Sequence, residues 1–453
     1  MVLYQIILYI CPTHMDVKNN NPGISYLQIF KLWLPLAIMW VIMGIEQPII
    51  NAVIARLPAA KENLAAFGVT FAIALIIEGP IIQLLSAGTA LSDNISNYRK
   101  LLNFMHIMGI GLSAIHLIIS VTPLFGGLLS KVMGIPDGII ERSRLSFLFL
   151  IPWSAAIGYR RLWQGVLIRY KKTKAITITM VIRLITIVLV MGIGLATNFL
   201  EGADLAGLAL SLGVLSGAVM SYIFVRPIVR DKIPRNPKPA EVLGWKRILR
   251  FYFPLALTSF ITLAARPILT AGLGRAPDPL ESLAAWPVIN SLLFVFQSIA
   301  LSYQEVAVSL LPSEGTFFKL KRFTRFLAAG LGILFLLVNI TPLRRLWYTY
   351  VAGLTPELLP FTEIPTLILI LLPPAAGFIS WYRGILVTRK ATPVITQAVV
   401  VNSVVLALIM LAGAGILPWP GAVTAAIAFT VSLIVEAFFL HFRTRRSITE
   451  LIS

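Results

Sequence analysis

Stretches of uncharged, apolar residues recur along almost the whole of this chain, and each is long enough to cross a bilayer. A helix rises 1.5 Å per residue, so roughly 20 such residues span the hydrocarbon core of about 30 Å. The stretches lie at 30–54, 65–90, 101–122, 145–168, 175–196 and 204–225, then at 251–273, 284–311, 323–341, 364–387, 394–416 and 421–442. That is a dozen spans. The chain is 58% hydrophobic and 13% charged, against about 45–50% apolar and about 25% charged in a soluble domain. The fold class is therefore an all-α integral membrane protein with twelve transmembrane helices.

The formal charge of +19 would point to nucleic acid in a soluble protein. Here the basic residues fall in alternate loops. One set holds Lys18 and Lys31, Arg99 and Lys100, Arg169 to Lys174, the run from Arg226 to Arg250, Lys319 to Arg325, Arg389 and Lys390, and Arg443 to Arg446. The opposite set holds Arg56, Lys61, Lys131, Arg142, Arg144, Arg275, Arg344 and Arg345. The positive-inside rule then places both termini in the cytoplasm and the chain in the cell (inner or plasma) membrane. The charge is accounted for by orientation, and no nucleic-acid partner is expected. The single cysteine, Cys11, excludes an intrachain disulfide. The short apolar segment before Asp16 does not read as a signal peptide, and Met15 is an alternative translation start.

The two halves superpose at one offset of 219 residues, Pro35 onto Pro254. Leu34-Pro35-Leu36-Ala37 meets Phe253-Pro254-Leu255-Ala256, and Pro48-Ile49-Ile50 meets Pro267-Ile268-Leu269. Glu62 to Phe67 meets Glu281 to Trp286, Gly165-Val166-Leu167 meets Gly384-Ile385-Leu386, and Gly202-Ala203 meets Gly421-Ala422. Apolar residues coincide by chance in any membrane protein, so the Pro, Gly and Glu matches carry the argument. An offset spanning six helices returns the chain to the same side, which gives two parallel-repeat six-helix bundles. The expected organisation is a cytoplasmic segment 1–29, a first bundle 30–226, a basic Pro-rich cytoplasmic linker 227–250, a second bundle 251–442 and a cytoplasmic tail 443–453.

Ionisable residues inside a span cost several kcal/mol on insertion scales and so face a partner or a wet cavity. Glu46, beside Gln47, and Arg266 sit just ahead of the duplicated Pro48 and Pro267. A proline removes a backbone donor and frees the carbonyl four residues earlier, which makes these two positions candidate hinges with a polar notch. A structural ion pair between Glu46 and Arg266 is the alternative. Glu78 and Glu305 lie in the second helix of each half. A carboxylate in low dielectric has a raised pKa and suits proton coupling, so Glu46, Glu78 and Glu305 are the candidate coupling-ion residues. Arg160, Arg161 and Arg183 in the first half and Arg383 in the second supply buried positive charge. Arg383 occupies the repeat position of Gln164, and a snorkelling arginine is the alternative for it. Glu436, near the end of the last helix, is expected to pair with a basic neighbour such as His441. Trp33, Trp40, Trp153, Trp163 and Trp381 read as an aromatic belt. No His or Cys pattern has metal-ligand spacing, and no phosphate-binding glycine loop is present, so neither metal nor cofactor is expected.

Several of these segments together resemble the progressive ankylosis proteins, relatives of the multidrug and toxin extrusion (MATE) transporters. Leu34-Pro35-Leu36 with Glu46-Gln47, Phe67-Gly68 with Gly79-Pro80, and Phe253 to Leu257 with Arg266-Pro267-Ile268 are similar to that family. Glu305, Gly165-Val166-Leu167 and Gly384-Ile385-Leu386 followed by Thr388 and Lys390 also fit. The resemblance implies a MATE-like pair of bundles around a V-shaped central cavity, alternating access, and export of anions such as pyrophosphate, nucleotides or citrate. The chain departs from animal members in lacking a long acidic C-terminal tail, and Arg383 sits a few residues from the family's arginine.

The expected function is thus a secondary exporter, not an enzyme, of small organic or phosphorylated anions. Arg161, Arg183, Arg266, Arg383 and Gln47 are the candidate substrate-binding residues. Its partners would be a small-molecule anion, H+ or Na+ as coupling ion, and membrane lipid, and the expected state is a monomer. A proton- or sodium-coupled multidrug exporter is the second reading. A flippase for lipid or lipid-linked sugar is the third.

Overall fold

The computed structural model describes residues 24–170, 172–235, 243–311, 315–389, 391–416 and 418–452. Cys11, Met15, Lys18, Lys171, Lys390 and the linker residues Pro237, Lys238 and Pro239 lie outside them. Among the described residues the regular structure is all helical.

In the first half the main helices are α1 (Tyr26–Gly44), α2 (Glu46–Ile54), α3 (Ala60–Glu78), α4 (Leu84–Leu91), α5 (Ile95–Val121), α6 (Asp137–Phe149), α7 (Ile151–Arg169), α8 (Thr173–Thr197) and α9 (Gly202–Asp231). The second half repeats them as α10 (Trp245–Arg275), α11 (Pro279–Leu301), α12 (Tyr303–Leu310), α13 (Phe317–Ile340), α14 (Pro360–Ile368), α15 (Leu372–Thr388), α16 (Thr392–Ile416) and α17 (Gly421–Ile452). Side chains cap two of the starts. Ser25 and Gln28 form a reciprocal capping box at α1, and Asn94 Oδ1 accepts from Asn97 N–H at 2.9 Å to cap α5.

Eleven helical segments are long and apolar enough to span a membrane among the described residues. The fourth span read from the sequence, 145–168, is not among them. It divides at Leu150 into α6 and α7, and α7 carries Arg160, Arg161 and Arg169 in 19 residues. This helix is too polar to face lipid. It packs instead between α4, α5 and α9, with most of its length buried. Lipid-facing helices look different: α8 leaves Ile185, Leu189 and Ile193 exposed along one side.

The duplication extends to backbone detail. Helices α8 and α16 start and end at equivalent positions, as do α4 and α12. Ala59 (φ 51°) matches Asp278 (φ 52°), and Gly134 (φ 68°) matches Gly353 (φ 74°). Left-handed non-glycine residues are uncommon, so their coincidence at one offset is strong evidence of common descent of the two halves. Asn63 Oδ1 accepts from Ala203 N–H at 3.2 Å, and its equivalent Ser282 Oγ accepts from Ala422 N–H at 3.1 Å.

Contacts divide the chain into two compact units, and the division does not fall at the linker. One unit is Val53–Gly274; the other joins Arg275–Ser453 to the chain up to Ala52. Helix α10 thus belongs with the first-half helices: Tyr252 Oη donates to Pro80 O at 2.5 Å, and Gln83 Nε2 donates to Ser259 Oγ at 2.7 Å. Helix α1 belongs with the second-half helices, where Trp40 Nε1 donates to Glu305 Oε1 at 3.3 Å. Ser259 and Trp40 are equivalent positions, so each first helix makes the same exchange.

Three further boundaries shift. Pro227, read as linker, lies inside α9, which runs on to Asp231; α10 begins at Trp245, and the last helix continues through the tail to Ile452. Charged side chains do not stop a helix that has left the apolar core, and their loops contract accordingly. The aromatic belt also fails for Trp153 and Trp381, which are 3% and 2% exposed and pack on Phe71 and Phe317 inside their units.

Glycine at the duplicated position 165 is demanded by packing. A Cβ there would meet Leu85 O at 2.4 Å and Thr89 N at 2.8 Å across the contact of α7 with α4. Gly165→Ala should therefore destabilise the protein by about 1–3 kcal/mol, read as a lowered thermal midpoint in detergent.

Candidate functional site

The sequence candidates fall into two sets, one in each unit. In the unit Val53–Gly274 they are Glu78, Arg161, Arg183 and Arg266, with Pro267 the candidate hinge. Glu78 is the last residue of α3, ahead of Gly79-Pro80, and is 5% exposed. Arg160 and Arg161 are consecutive on α7, and Arg183 is on α8. The charges of Glu78 and Arg183 both act on Arg161, so these three groups form one electrostatic cluster. Arg160 joins it from the side. Its Cδ lies 3.2 Å from where a Cβ of Gly217 would stand, and Arg183 Cβ lies 3.8 Å from the same point. The missing side chain at Gly217 on α9 leaves room for the Arg160 side chain.

Arg266 is half-buried on α10, and no hydrogen bond or ion pair of its guanidinium occurs among the described residues. Pro267 does not break its helix, which runs from Trp245 to Arg275. Thr270 Oγ1 donates to Arg266 O at 3.1 Å.

The other unit holds Glu46, Gln47, Pro48, Glu305 and Arg383. Here the proline does interrupt the helix. Pro48 cannot donate to Gly44 O, and the chain breaks at Ile45 between α1 and α2. Glu46, 8% exposed, opens the new helix beside half-buried Gln47. Glu305 on α12 is 7% exposed; its Oε1 accepts from Trp40 as above, while Oε2 has no hydrogen-bond partner among the described residues.

Arg383 does not snorkel free. Its Nη2 donates to Glu436 Oε1 in a buried ion pair between α15 and α17. The expected pairing of Glu436 with His441 is therefore wrong: His441 Nδ1 bonds Tyr382 Oη at 2.8 Å instead. The repeat makes this informative. Arg383 and Glu436 are equivalent to Gln164 and Gly217, so the ion pair of one unit is absent from the same two positions of the other. In its place stand three arginines and Gln164, which is fully buried with neither amide atom hydrogen-bonded among the described residues. The sequence offered Gln164 only as the partner of Arg383 in the repeat. Comparing both positions across the offset would have exposed the asymmetry.

The sequence model of the progressive ankylosis protein family (ANKH) matches residues 17–310, more than half of the chain. The chain belongs to the progressive ankylosis protein family. Solved structures give this family member its fold. An inward-facing multidrug resistance MATE family transporter of the MOP superfamily is similar with a TM-score of 0.66 at 14% identity, over 91% of this chain and 99% of that one. The lipid II flippase MurJ in an inward closed conformation gives 0.65 at 13% identity, over 93% and 90%. A MOP superfamily transporter from Pyrococcus furiosus, reported for the reverse polarity of its binding pocket, gives 0.58 at 15% identity, over 94% and 96%. The progressive ankylosis fold in this chain is thus that of the MATE and MOP transporters, in a multi-pass membrane protein.

Proposed function

We propose that the chain is a secondary transporter that moves small organic or phosphorylated anions, of the pyrophosphate, nucleotide or citrate type, by alternating access. One observation supports this reading above the others. Arg160, Arg161 and Arg183 lie together in one unit, with Glu78 acting on Arg161, and Gln164 and Gly217 stand there in place of the Arg383–Glu436 pair of the other unit. A cluster of cations inside a membrane-spanning unit favours an anion as its ligand. Guanidinium groups bind phosphate and carboxylate with paired, charge-assisted hydrogen bonds, which suits these cargoes. Arg266, on the helix of the duplicated proline, is a further contact for the anion. Pro48, where the helix is interrupted, is a bending point of the cycle, and Pro267, which removes one backbone hydrogen bond inside the continuous α10, is its equivalent weak point. Proteoliposomes carrying the protein should take up labelled pyrophosphate, citrate or nucleotide, and protein-free vesicles should not.

Glu305 is the coupling residue in this reading. A carboxyl buried beside Trp40, with one oxygen free of partners, is suited to take up and release a proton as its surroundings change. In Glu305→Gln, an imposed proton gradient should no longer stimulate flux, while anion exchange without a gradient continues. Loss of both would assign Glu305 a structural role. The same carboxylate also favours the second reading, export of cationic drugs in exchange for protons, for which a dye-efflux panel is the discriminating assay. The flippase reading has the fold of MurJ in its favour and is tested by lipid translocation.

A further inference from the structure

A cavity of about 500 Å³ opens within the unit Val53–Gly274, between the start of α5 and the end of α9. Four arginines line it: Arg99 on α5, Arg226 and Arg230 one turn apart on α9, and Arg235 just beyond. Its segments are fixed to each other, since Ile95 N–H donates to Pro234 O at 2.9 Å and closes one side. Tyr98 and Tyr222 contribute aromatic walls, and Trp163 braces both: its Nε1 donates to Tyr98 Oη at 3.2 Å, and its ring lies 5.3 Å from that of Tyr222.

The charge in this cavity is largely unspent. Asp231 forms two hydrogen bonds with Arg230, at 2.8 and 3.1 Å, and offsets that charge. Arg99 and Arg226 have no carboxylate partner among the described residues; Arg235 shares the charge of Asp231 with Arg230 and donates to the carbonyl of Arg230 at 3.0 Å. None of the arginines is needed for packing, because all four are exposed.

The position of the cavity along the helices indicates what fills it. On α9, Val219, Tyr222 and Ile223 are exposed apolar surface of the kind that faces lipid, and Arg226 follows within one turn. On α5, Arg99 precedes the exposed Ile107 and Ile110 by a helical rise of roughly 12–17 Å. The cavity therefore straddles the boundary where acyl chains give way to headgroups. Valines 225 and 229, with Ile95, make the remaining wall apolar. A free inorganic anion has no use for that wall, whereas a phospholipid presents a phosphate to the arginines and its glycerol and upper acyl carbons to the valines.

We propose that this cavity is a binding site for the headgroup of an anionic phospholipid in the leaflet on the basic side of the protein. It is separate from the arginines assigned to the transported anion and does not rest on that assignment.

The test is lipid retention by the full-length protein, reconstituted in nanodiscs of phosphatidylcholine mixed with phosphatidylglycerol and read by native mass spectrometry. Wild type should retain phosphatidylglycerol in preference to phosphatidylcholine. The double variant Arg99→Gln/Arg226→Gln should lose that retention by at least about tenfold, the scale expected for losing charged hydrogen bonds. Val229→Trp, which fills the cavity and leaves every charge in place, should lose it as well, while Arg322→Gln, an exposed arginine elsewhere, should match wild type. Retention unchanged in both cavity variants, or equal retention of the two lipids, would overturn the proposal. Displacement of the bound lipid by inorganic phosphate at constant ionic strength would overturn it too, by identifying the ligand as a free anion.

Discussion

Arg161→Ala should lower anion uptake into proteoliposomes at least about tenfold, the effect of removing a charged hydrogen-bond donor worth about 1.5–3 kcal/mol from the bound anion. The residue sits at the centre of the cluster, acted on by the carboxylate of Glu78 and the like charge of Arg183. Deleting it gives up the attraction of Glu78 but relieves the larger cost of burying the charge and the repulsion with Arg183, so the thermal midpoint should not fall. That combination separates a binding group from a structural one, because a structural arginine would lower both together. Arg161→Lys should give an intermediate rate, since an ammonium keeps the charge but not the planar fork that grips two oxygens at once. Uptake and stability that both remain at wild-type values in Arg161→Ala would remove it from the mechanism.

The opposite pattern is expected at the equivalent place in the other unit. Glu436 is 3% exposed and neutralises Arg383, whose side chain is 23% exposed. Glu436→Ala leaves a guanidinium stranded in a membrane interior, and breaking a buried pair this way costs about 3–5 kcal/mol. Arg383's partial exposure places the expected loss near the low end of that range, about 3 kcal/mol. The double variant Arg383→Met/Glu436→Leu removes both charges and should recover most of the loss, since an apolar pair of similar volume is often as stable as the ion pair it replaces. Thermal unfolding of the two single variants and the double variant, with the coupling energy taken from the cycle, checks this. A double variant as unstable as Glu436→Ala would contradict the pairing.

The helices were legible because a bilayer makes one demand on every span, length and apolarity, that any window of the sequence displays. The duplication was legible because Pro35, Pro48, Gly165 and Gly202 recur where backbone geometry rather than hydropathy selects the residue. Three things escaped. Helix α7 is amphiphilic in a way that hydropathy averages out, so its division from α6 at Leu150 was hidden inside one long span. The exchange of α1 and α10 between units was invisible because apolar faces carry no record of which apolar face they meet; only small polar contacts such as Gln83 with Ser259 and Trp40 with Glu305 reveal it. The Arg383–Glu436 pair joins residues 53 apart, too far for a local charge pattern to suggest. Of the candidate residues, Glu78, Arg161 and Arg183 are brought together, whereas Arg383 is closed off by its own carboxylate.

The proposed cargo is an anion held by Arg160, Arg161 and Arg183 in one unit. Uptake of labelled pyrophosphate, citrate and nucleotide, measured side by side with a cationic dye panel in the same proteoliposomes under imposed proton and sodium gradients, tests it most directly. Gradient-driven accumulation of at least one of the anions, with none of the cationic dyes, is the predicted result. Accumulation of cationic dyes with no movement of any anion would contradict it.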